Sequence, residues 1–360
     1  MDDSHKSQNS IIQHSKPTLG AEEAKAVSEV IESGYIAEGK RVKNFENAFA
    51  KYLGVEYATS TNSGTSALHI TLLAMGIGQG DEVIIPSYVC SALLNAVNYT
   101  GATPILADID PETYNLDVTD VRKRINKYTK AIIVPHAFGL AADMDSLLDL
   151  GVPIVEDCAQ SIGAIDNLRP VGSFGVAAIF SFYATKVITT GQGGMVATNS
   201  RDIAARIGDL KAYDKREDYK IRFNYKMNDI QAALGIVQLK QLGSILRRRK
   251  EIAKRYNRTF NSYRIKLPPS DSGHIYFRYV LDLKMDSILW IQELARMGII
   301  CERPIHHPLH QNLKCSGYPA TDKAWKQSLS IPIYPTLNEE EICRVIESVK
   351  LCYAKFSKFI

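Results

Sequence analysis

The feature that most narrows what this chain can fold into is an alternation running through residues 20–198. Five short runs are apolar on both parities: Glu82-Val83-Ile84-Ile85, Thr103-Pro104-Ile105-Leu106-Ala107, Ala131-Ile132-Ile133-Val134, Pro153-Ile154-Val155 and Ala177-Ala178-Ile179-Phe180. A strand hidden on both faces has no use for alternating polarity, so such runs suit a parallel sheet covered on both sides. Helical spacing fills the intervals. Residues 22–33 and 42–53 read as helices, and 66–75 sets Leu68, Leu72 and Met75 on one face. The pattern predicts an open α/β domain. A length of 360 residues exceeds one such unit. The mainly helical stretch after Arg201 and the mixed segment behind it predict a second, smaller α+β domain. We therefore expect a flexible N-terminus over 1–15, a large domain over 16–241 and a small C-terminal domain over 242–360.

Composition removes several function classes. No run of 18 apolar residues exists, so no membrane-spanning helix is expected. The polar start Met1-Asp2-Asp3-Ser4-His5-Lys6 does not read as a secretory signal, and a cytoplasmic location follows as the expectation. The six cysteines form no C-x-x-C pair, which predicts free thiols without zinc or any other metal. Forty-three basic against 39 acidic side chains is too even a balance for a nucleic-acid partner. The densest basic run, Arg247-Arg248-Arg249-Lys250, reads as a solvated helix face.

In an open α/β sheet, ligands bind outside the carboxyl ends of the strands. Pro86-Ser87-Tyr88, Pro135-His136, Glu156-Asp157-Cys158-Ala159-Gln160 and Ser181-Phe182-Tyr183-Ala184-Thr185-Lys186 each follow one of the predicted strands. An aromatic, a histidine, an acid, an amide and a lysine thus converge on one crevice. Pyridoxal phosphate requires such a set: a lysine amine for its carbonyl, a carboxylate against the pyridine nitrogen, and a phosphate cradle. Lys186 can supply the amine and Asp157 the carboxylate, although Asp157 alone would equally serve as a helix cap. Asn62-Ser63-Gly64-Thr65-Ser66 opens a predicted helix, whose free N–H groups make an anion site. The same segment is also an ordinary cap signal. Ser181 can add a hydroxyl.

These motifs resemble the DegT/DnrJ/StrS family of sugar aminotransferases. Besides the segments above, Gly80-Asp81-Glu82-Val83-Ile84, Gly101-Ala102-Thr103-Pro104, Asp143-Met144-Asp145, Asn224-Tyr225-Lys226-Met227, Gln231-Ala232-Ala233-Leu234-Gly235 and Pro308-Leu309-His310 are similar to that family. The resemblance implies the fold type I aminotransferase architecture with pyridoxal 5'-phosphate as cofactor. It implies that Lys186 bonds the cofactor and shuttles the proton, that Asp157 pairs the ring nitrogen, and that Gln160 lies near the ring hydroxyl. Gly64, Thr65, Ser66 and Ser181 would hold the phosphate. Asn224 would reach the phosphate of a neighbouring subunit, making a homodimer with shared sites. His310 would stand near the substrate. Three positions depart from the family. Cys90 occupies the usual place of the aromatic that covers the ring, so either Tyr88 shifts in to stack or Cys90 covers it. Gln192 replaces a glutamate, and Lys226 replaces an arginine and its bidentate fork.

The activity so implied is transfer of an amino group from an amino acid, glutamate being the expected donor, to a keto-sugar expected to be nucleotide-linked. Such a step belongs to amino-sugar biosynthesis for surface polysaccharide or a glycosylated metabolite. Three rivals remain. A keto-sugar dehydratase of the same fold carries histidine where this chain has Lys186. A regulatory cofactor-binding protein would have no need of lysine, acid and phosphate loop together. A dinucleotide-dependent dehydrogenase lacks its G-x-G-x-x-G after the first strand.

Overall fold

The computed structural model describes residues 11–359. Seven strands form the central sheet: β1 (Tyr57–Thr61), β2 (Glu82–Pro86), β3 (Thr103–Ala107), β4 (Thr129–Pro135), β5 (Ile154–Asp157), β6 (Ala177–Ser181) and β7 (Gly194–Thr198). Their spatial order is β1-β7-β6-β5-β4-β2-β3. Only β7 runs antiparallel to its neighbours. The five apolar runs are β2 to β6, and Val83, Ile84, Ile85, Ile132, Ile133 and Val155 are each fully buried. The sequence pattern did not reveal β1 and β7. Tyr57-Ala58-Thr59-Ser60-Thr61 is too polar for an inner strand, and it forms the sheet's edge.

Helices α1 (Ala21–Ser33), α2 (Lys40–Leu53), α3 (Gly64–Ala74) and α4 (Ser91–Thr100) lie within the first hundred residues. The chain leaves α2 through Gly54 at φ +75°, a left-handed turn that glycine enters without strain. Helix α3 differs from the amphipathic element expected. Ala67, His69, Ile70 and Thr71 are buried together with Leu68 and Leu72, because α3 packs on β6 and β7 while α4 and the helix Arg201–Leu210 cover its other sides. A helix enclosed on all sides has no polar face to display.

The long helix Asp229–Phe260 runs straight through the expected domain boundary at Leu242. Its first part packs on α1 and α2, whereas Ile252, Tyr256 and Phe260 enter the C-terminal core with Trp290, Leu294, Val345 and Val349. There β8 (Tyr279–Asp282) pairs antiparallel with β9 (Ser328–Ile331). The same helix corrects the reading of the basic run. Arg247 is exposed, but Arg249 lies on the stripe of Leu242, Ile245 and Ile252, is 4% exposed, and donates to the carbonyls of Tyr276, Phe277 and Ile333. Of the N-terminal segment expected to be flexible, residues 1–10 lie outside the described residues. Ile12 bridges to Ile299, and His14 is buried.

Candidate active site

The parallel register puts the carboxyl ends of β4, β5 and β6 side by side, with Pro135 opposite Asp157 and Asp157 opposite Ile179. Two connected cavities open there. One, of about 230 Å³, is walled by Ser63, Gly64, Thr65, Ser181, Gln192 and others; a smaller one is walled by Tyr88, His136, Phe138 and Gln160. Cys90, Asp157, Ala159 and Lys186 line both.

Glu156 and Asp157 are consecutive on β5, so their side chains leave the sheet on opposite faces. Glu156 is fully enclosed. It accepts N–H groups from Gly172 at 2.6 Å, Phe174 at 2.6 Å and Gly175 at 2.7 Å, and lies 3.1 Å from His136 Nε2. His136 Nδ1 accepts the Ala142 N–H, so Nε2 is the nitrogen that donates to Glu156. Burial pushes the Glu156 carboxyl up, but its hydrogen bonds with His136, Gly175 and Gly172 outweigh that and hold it below the usual range. Cys158 brings a third metal-ligand atom within 4.8 Å of His136 and Glu156, yet both Glu156 oxygens already carry N–H donors. Asp157 accepts one N–H, from Ala159 at 2.9 Å. Burial raises its carboxyl above the usual range, with the nearby Lys186 charge only partly opposing.

Lys186 follows β6 in a turn closed by its own N–H to the Tyr183 carbonyl. Its amine has no hydrogen bond or ion pair among the described residues, and lies 5.4 Å from the centre of the Phe277 ring. Burial lowers its pKa, Cys90 and Asp157 oppose this, and Arg278 adds to it. The result favours a free amine nearer neutral pH than an ordinary lysine allows.

Ser63 caps α3, its Oγ accepting the Ser66 N–H at 3.1 Å. The Gly64 and Thr65 amides have no acceptor among the described residues and line the larger cavity. A Cβ on Gly64 would fall 2.8 Å from the Ser181 Cβ, so only glycine lets helix start and strand end meet.

A family model for the DegT/DnrJ/EryC1/StrS aminotransferases matches residues 17–350. The chain is 34% identical to the spore coat polysaccharide biosynthesis protein SpsC of Bacillus subtilis, covering 95% of this chain and 97% of that one. It is 35% identical to the GDP-perosamine synthase of Escherichia coli O157:H7, covering 94% and 98%. The aminotransferase Spr1654 of Streptococcus pneumoniae, whose structures include a PMP form, superposes with a TM-score of 0.92 at 27% identity over 97% of this chain and 99% of that one. The chain belongs to the DegT/DnrJ/EryC1/StrS aminotransferase family. Its fold is the fold type I architecture, and its cofactor is pyridoxal phosphate.

The aminotransferase's own residues fit that cofactor. A buried carboxylate short of donors, an amine without a partner and a pair of free amides beside a serine surround one cavity. Not every expected residue is in the wall. The Ser66 hydroxyl turns inward to Ser63 Oγ at 2.9 Å, and Ser63 lines the cavity in its place. Tyr88 touches the smaller cavity, but its ring packs with Tyr114 and Phe138, and its hydroxyl points to the Ala324 carbonyl. Cys90 faces both cavities. Gln160 lines the smaller cavity, its Oε1 accepting the Phe138 N–H at 3.1 Å. Asn224 is exposed and lines neither cavity; its carbonyl accepts from Asn62. His310 is 3% exposed and also lines neither. Its Nδ1 lies 2.7 Å from Ser87 Oγ and its Nε2 3.0 Å from Asp322. Sequence reasoning missed Phe277, whose ring faces the Lys186 amine, because it comes just before β8 in the C-terminal part of the chain and not after a strand of the central sheet.

Proposed function

We propose that this aminotransferase moves an amino group from an amino acid, with glutamate as the donor, to a keto-sugar carried on a nucleotide, in amino-sugar biosynthesis for a surface polysaccharide or glycosylated metabolite. The observation that carries the reading is the unpartnered Lys186 amine in the wall shared with Asp157. The names of the B. subtilis and E. coli relatives support the polysaccharide and nucleotide-sugar setting. Pyridoxal phosphate, when bound, supplies a carbonyl for the amine and a ring that takes up the electrons left by a departing α-proton. Lys186 would hold that carbonyl in the resting enzyme and, as a free amine, would move the α-proton. Asp157 pairs the ring nitrogen and keeps it charged. Gly64, Thr65 and Ser181, with Ser63, hold the phosphate, and Gln160 lies by the ring hydroxyl. The Tyr88 ring is engaged with Tyr114 and Phe138, so Cys90 rather than Tyr88 would face the cofactor ring. The exposed Asn224 reaches the neighbouring subunit's phosphate, so two copies of this chain share each site.

The decisive experiment is borohydride reduction followed by peptide mass analysis. The cofactor's mass should appear on the Lys186 peptide, and Lys186→Ala should abolish both the adduct and amine exchange with glutamate. Exchange at wild-type speed by that variant sinks the assignment. A panel of nucleotide-linked keto-sugars then identifies the acceptor. Ammonia release without an amino-sugar product would favour the dehydratase reading instead.

A further inference from the structure

Residues 221–228 form neither helix nor strand, yet the middle of this arm is fastened at several points. The Phe223 N–H donates to the Leu210 carbonyl at 2.7 Å, and the Asn62 N–H to the Tyr225 carbonyl at 2.9 Å. The Asn62 side-chain amide adds a bond to the Asn224 carbonyl at 3.2 Å. Asn62 directly precedes Ser63, the cap of α3, so the arm is tied beside the Gly64 and Thr65 amides. Phe223 and Tyr225 are half-buried, and Asn224 between them is exposed, the alternation of an extended chain. The Asn224 side chain has no partner among the described residues.

On the inner side the two aromatics meet one histidine. His69, on α3, is 4% exposed. Its ring centre lies 5.0 Å from that of Phe223 and 5.9 Å from that of Tyr225, edge to face. Phe223 and Tyr225 stack on each other at 5.1 Å. His69 Nδ1 lies 2.9 Å from the Tyr225 hydroxyl. Burial lowers the imidazole pKa and keeps the ring neutral, so Nδ1 can accept the hydroxyl proton. A segment held only by its backbone groups can still roll about its own length. A second hold, on a side chain that leaves opposite Asn224, stops the roll. Packing alone is served by phenyl rings, whereas a hydroxyl matched to a ring nitrogen adds direction.

We infer that His69 is a positioning residue: by holding the Tyr225 hydroxyl, it aims the neighbouring Asn224 at the cofactor phosphate bound in the other subunit. The inference rests on the shared-site reading above. Helix α3 then serves two sites at once. Its first amides face a phosphate in its own subunit, and its buried histidine sets the arm that reaches the next.

The first test is calorimetry on the cofactor-free dimer with pyridoxamine 5'-phosphate and pyridoxamine, amines that differ only by the phosphate. Asn224→Ala should weaken pyridoxamine 5'-phosphate about twentyfold, the loss of a hydrogen bond to a charged group, and leave pyridoxamine unchanged. Tyr225→Phe and His69→Leu should each weaken the phosphate ligand about fivefold, and together by no more than either alone. His69→Asn, which keeps an acceptor near the Nδ1 position, should restore binding. If His69→Leu does not fold, Tyr225→Phe carries the measurement. The second test uses hybrid holoenzymes. A Lys186→Ala subunit paired with a Lys186 subunit leaves one lysine-bound cofactor, followed by its visible absorbance. His69→Leu on the Lys186→Ala subunit should speed loss of that cofactor about fivefold, and on the lysine-bearing subunit should leave it unchanged. An effect confined to the lysine-bearing subunit, equal weakening of pyridoxamine, or no effect at all would overturn the inference. Unweakened phosphate-ligand binding by Asn224→Ala would instead bring down the shared-site reading, and the inference with it.

Discussion

Glu156 and Asp157 share a strand, a charge type and near-complete burial, yet the chain treats them in opposite ways. On one face of β5, Glu156 has three backbone donors and His136, and the loop that carries Gly172, Phe174 and Gly175 is fastened to the sheet through it. On the other face, Asp157 has one donor and a cavity in front of it. Burial raises the pKa of both; hydrogen bonds reverse the shift for Glu156 and fail to for Asp157. A buried carboxylate with its lone pairs filled is a fastening. One left short of donors can take a positive partner, and in the function proposed above that partner is the cofactor's ring nitrogen.

The largest expected effect falls on the open face. Asp157→Asn should slow α-proton removal on the order of a hundredfold to a thousandfold, because the charge proposed to pair the ring nitrogen is gone. The cofactor-free form of the same variant should become more stable at neutral pH by roughly 1 kcal/mol. The sign follows from the shift: an acid whose folded-state pKa is raised opposes folding as pH rises through that value, and asparagine removes the opposition. Single-turnover absorbance and thermal melts of the cofactor-free protein measure the two halves. A slower enzyme that is also less stable without cofactor would break the contrast.

The closed face should respond in stability alone. Glu156→Gln should cost about 3 kcal/mol at pH 7 and leave the proton-transfer rate within a few-fold of wild type. Because the Glu156 pKa is lowered from its ordinary 4.5, its contribution is present above that value and lost as pH falls through the lower folded-state value. Urea midpoints of wild type and variant should therefore converge in acid. Parallel curves down to pH 3 would show that hydrogen bonding, not charge, does the fastening.

The inner strands could be read from the sequence because burial on both faces forces unbroken apolar runs, and the residues after them inherit their place from the sheet. Lys186, Asp157 and Ser181 were legible for that reason, and Gly64 because it opens a helix. The edge strand β1 was not, since a polar strand looks like a loop until β7 supplies its partner. Nor could sequence spacing separate Ser63 from Ser66, which differ by the direction a hydroxyl turns within one cap. Arg249 illustrates the limit for charge. A run of four basic residues on a helix must send one of them toward the core, and composition does not say that three carbonyls wait there.

The smallest effect extends the contrast to the C-terminal part of the chain. The family resemblance implies a place near the substrate for His310, and in the structure both of its ring nitrogens are bonded within the chain, to Ser87 and Asp322. By the criterion that separates Glu156 from Asp157, it belongs with the fastenings: it joins the loop after β2 to the helix Pro319–Gln327. His310→Asn should then cost about 1 to 2 kcal/mol, the loss of one buried hydrogen bond, and leave KM for donor and acceptor unchanged. A thermal melt beside steady-state kinetics separates the outcomes. A raised acceptor KM at unchanged melting temperature would mean that the Ser87–His310–Asp322 arrangement opens when substrate arrives, and that a filled set of hydrogen bonds in the resting chain does not identify a fastening.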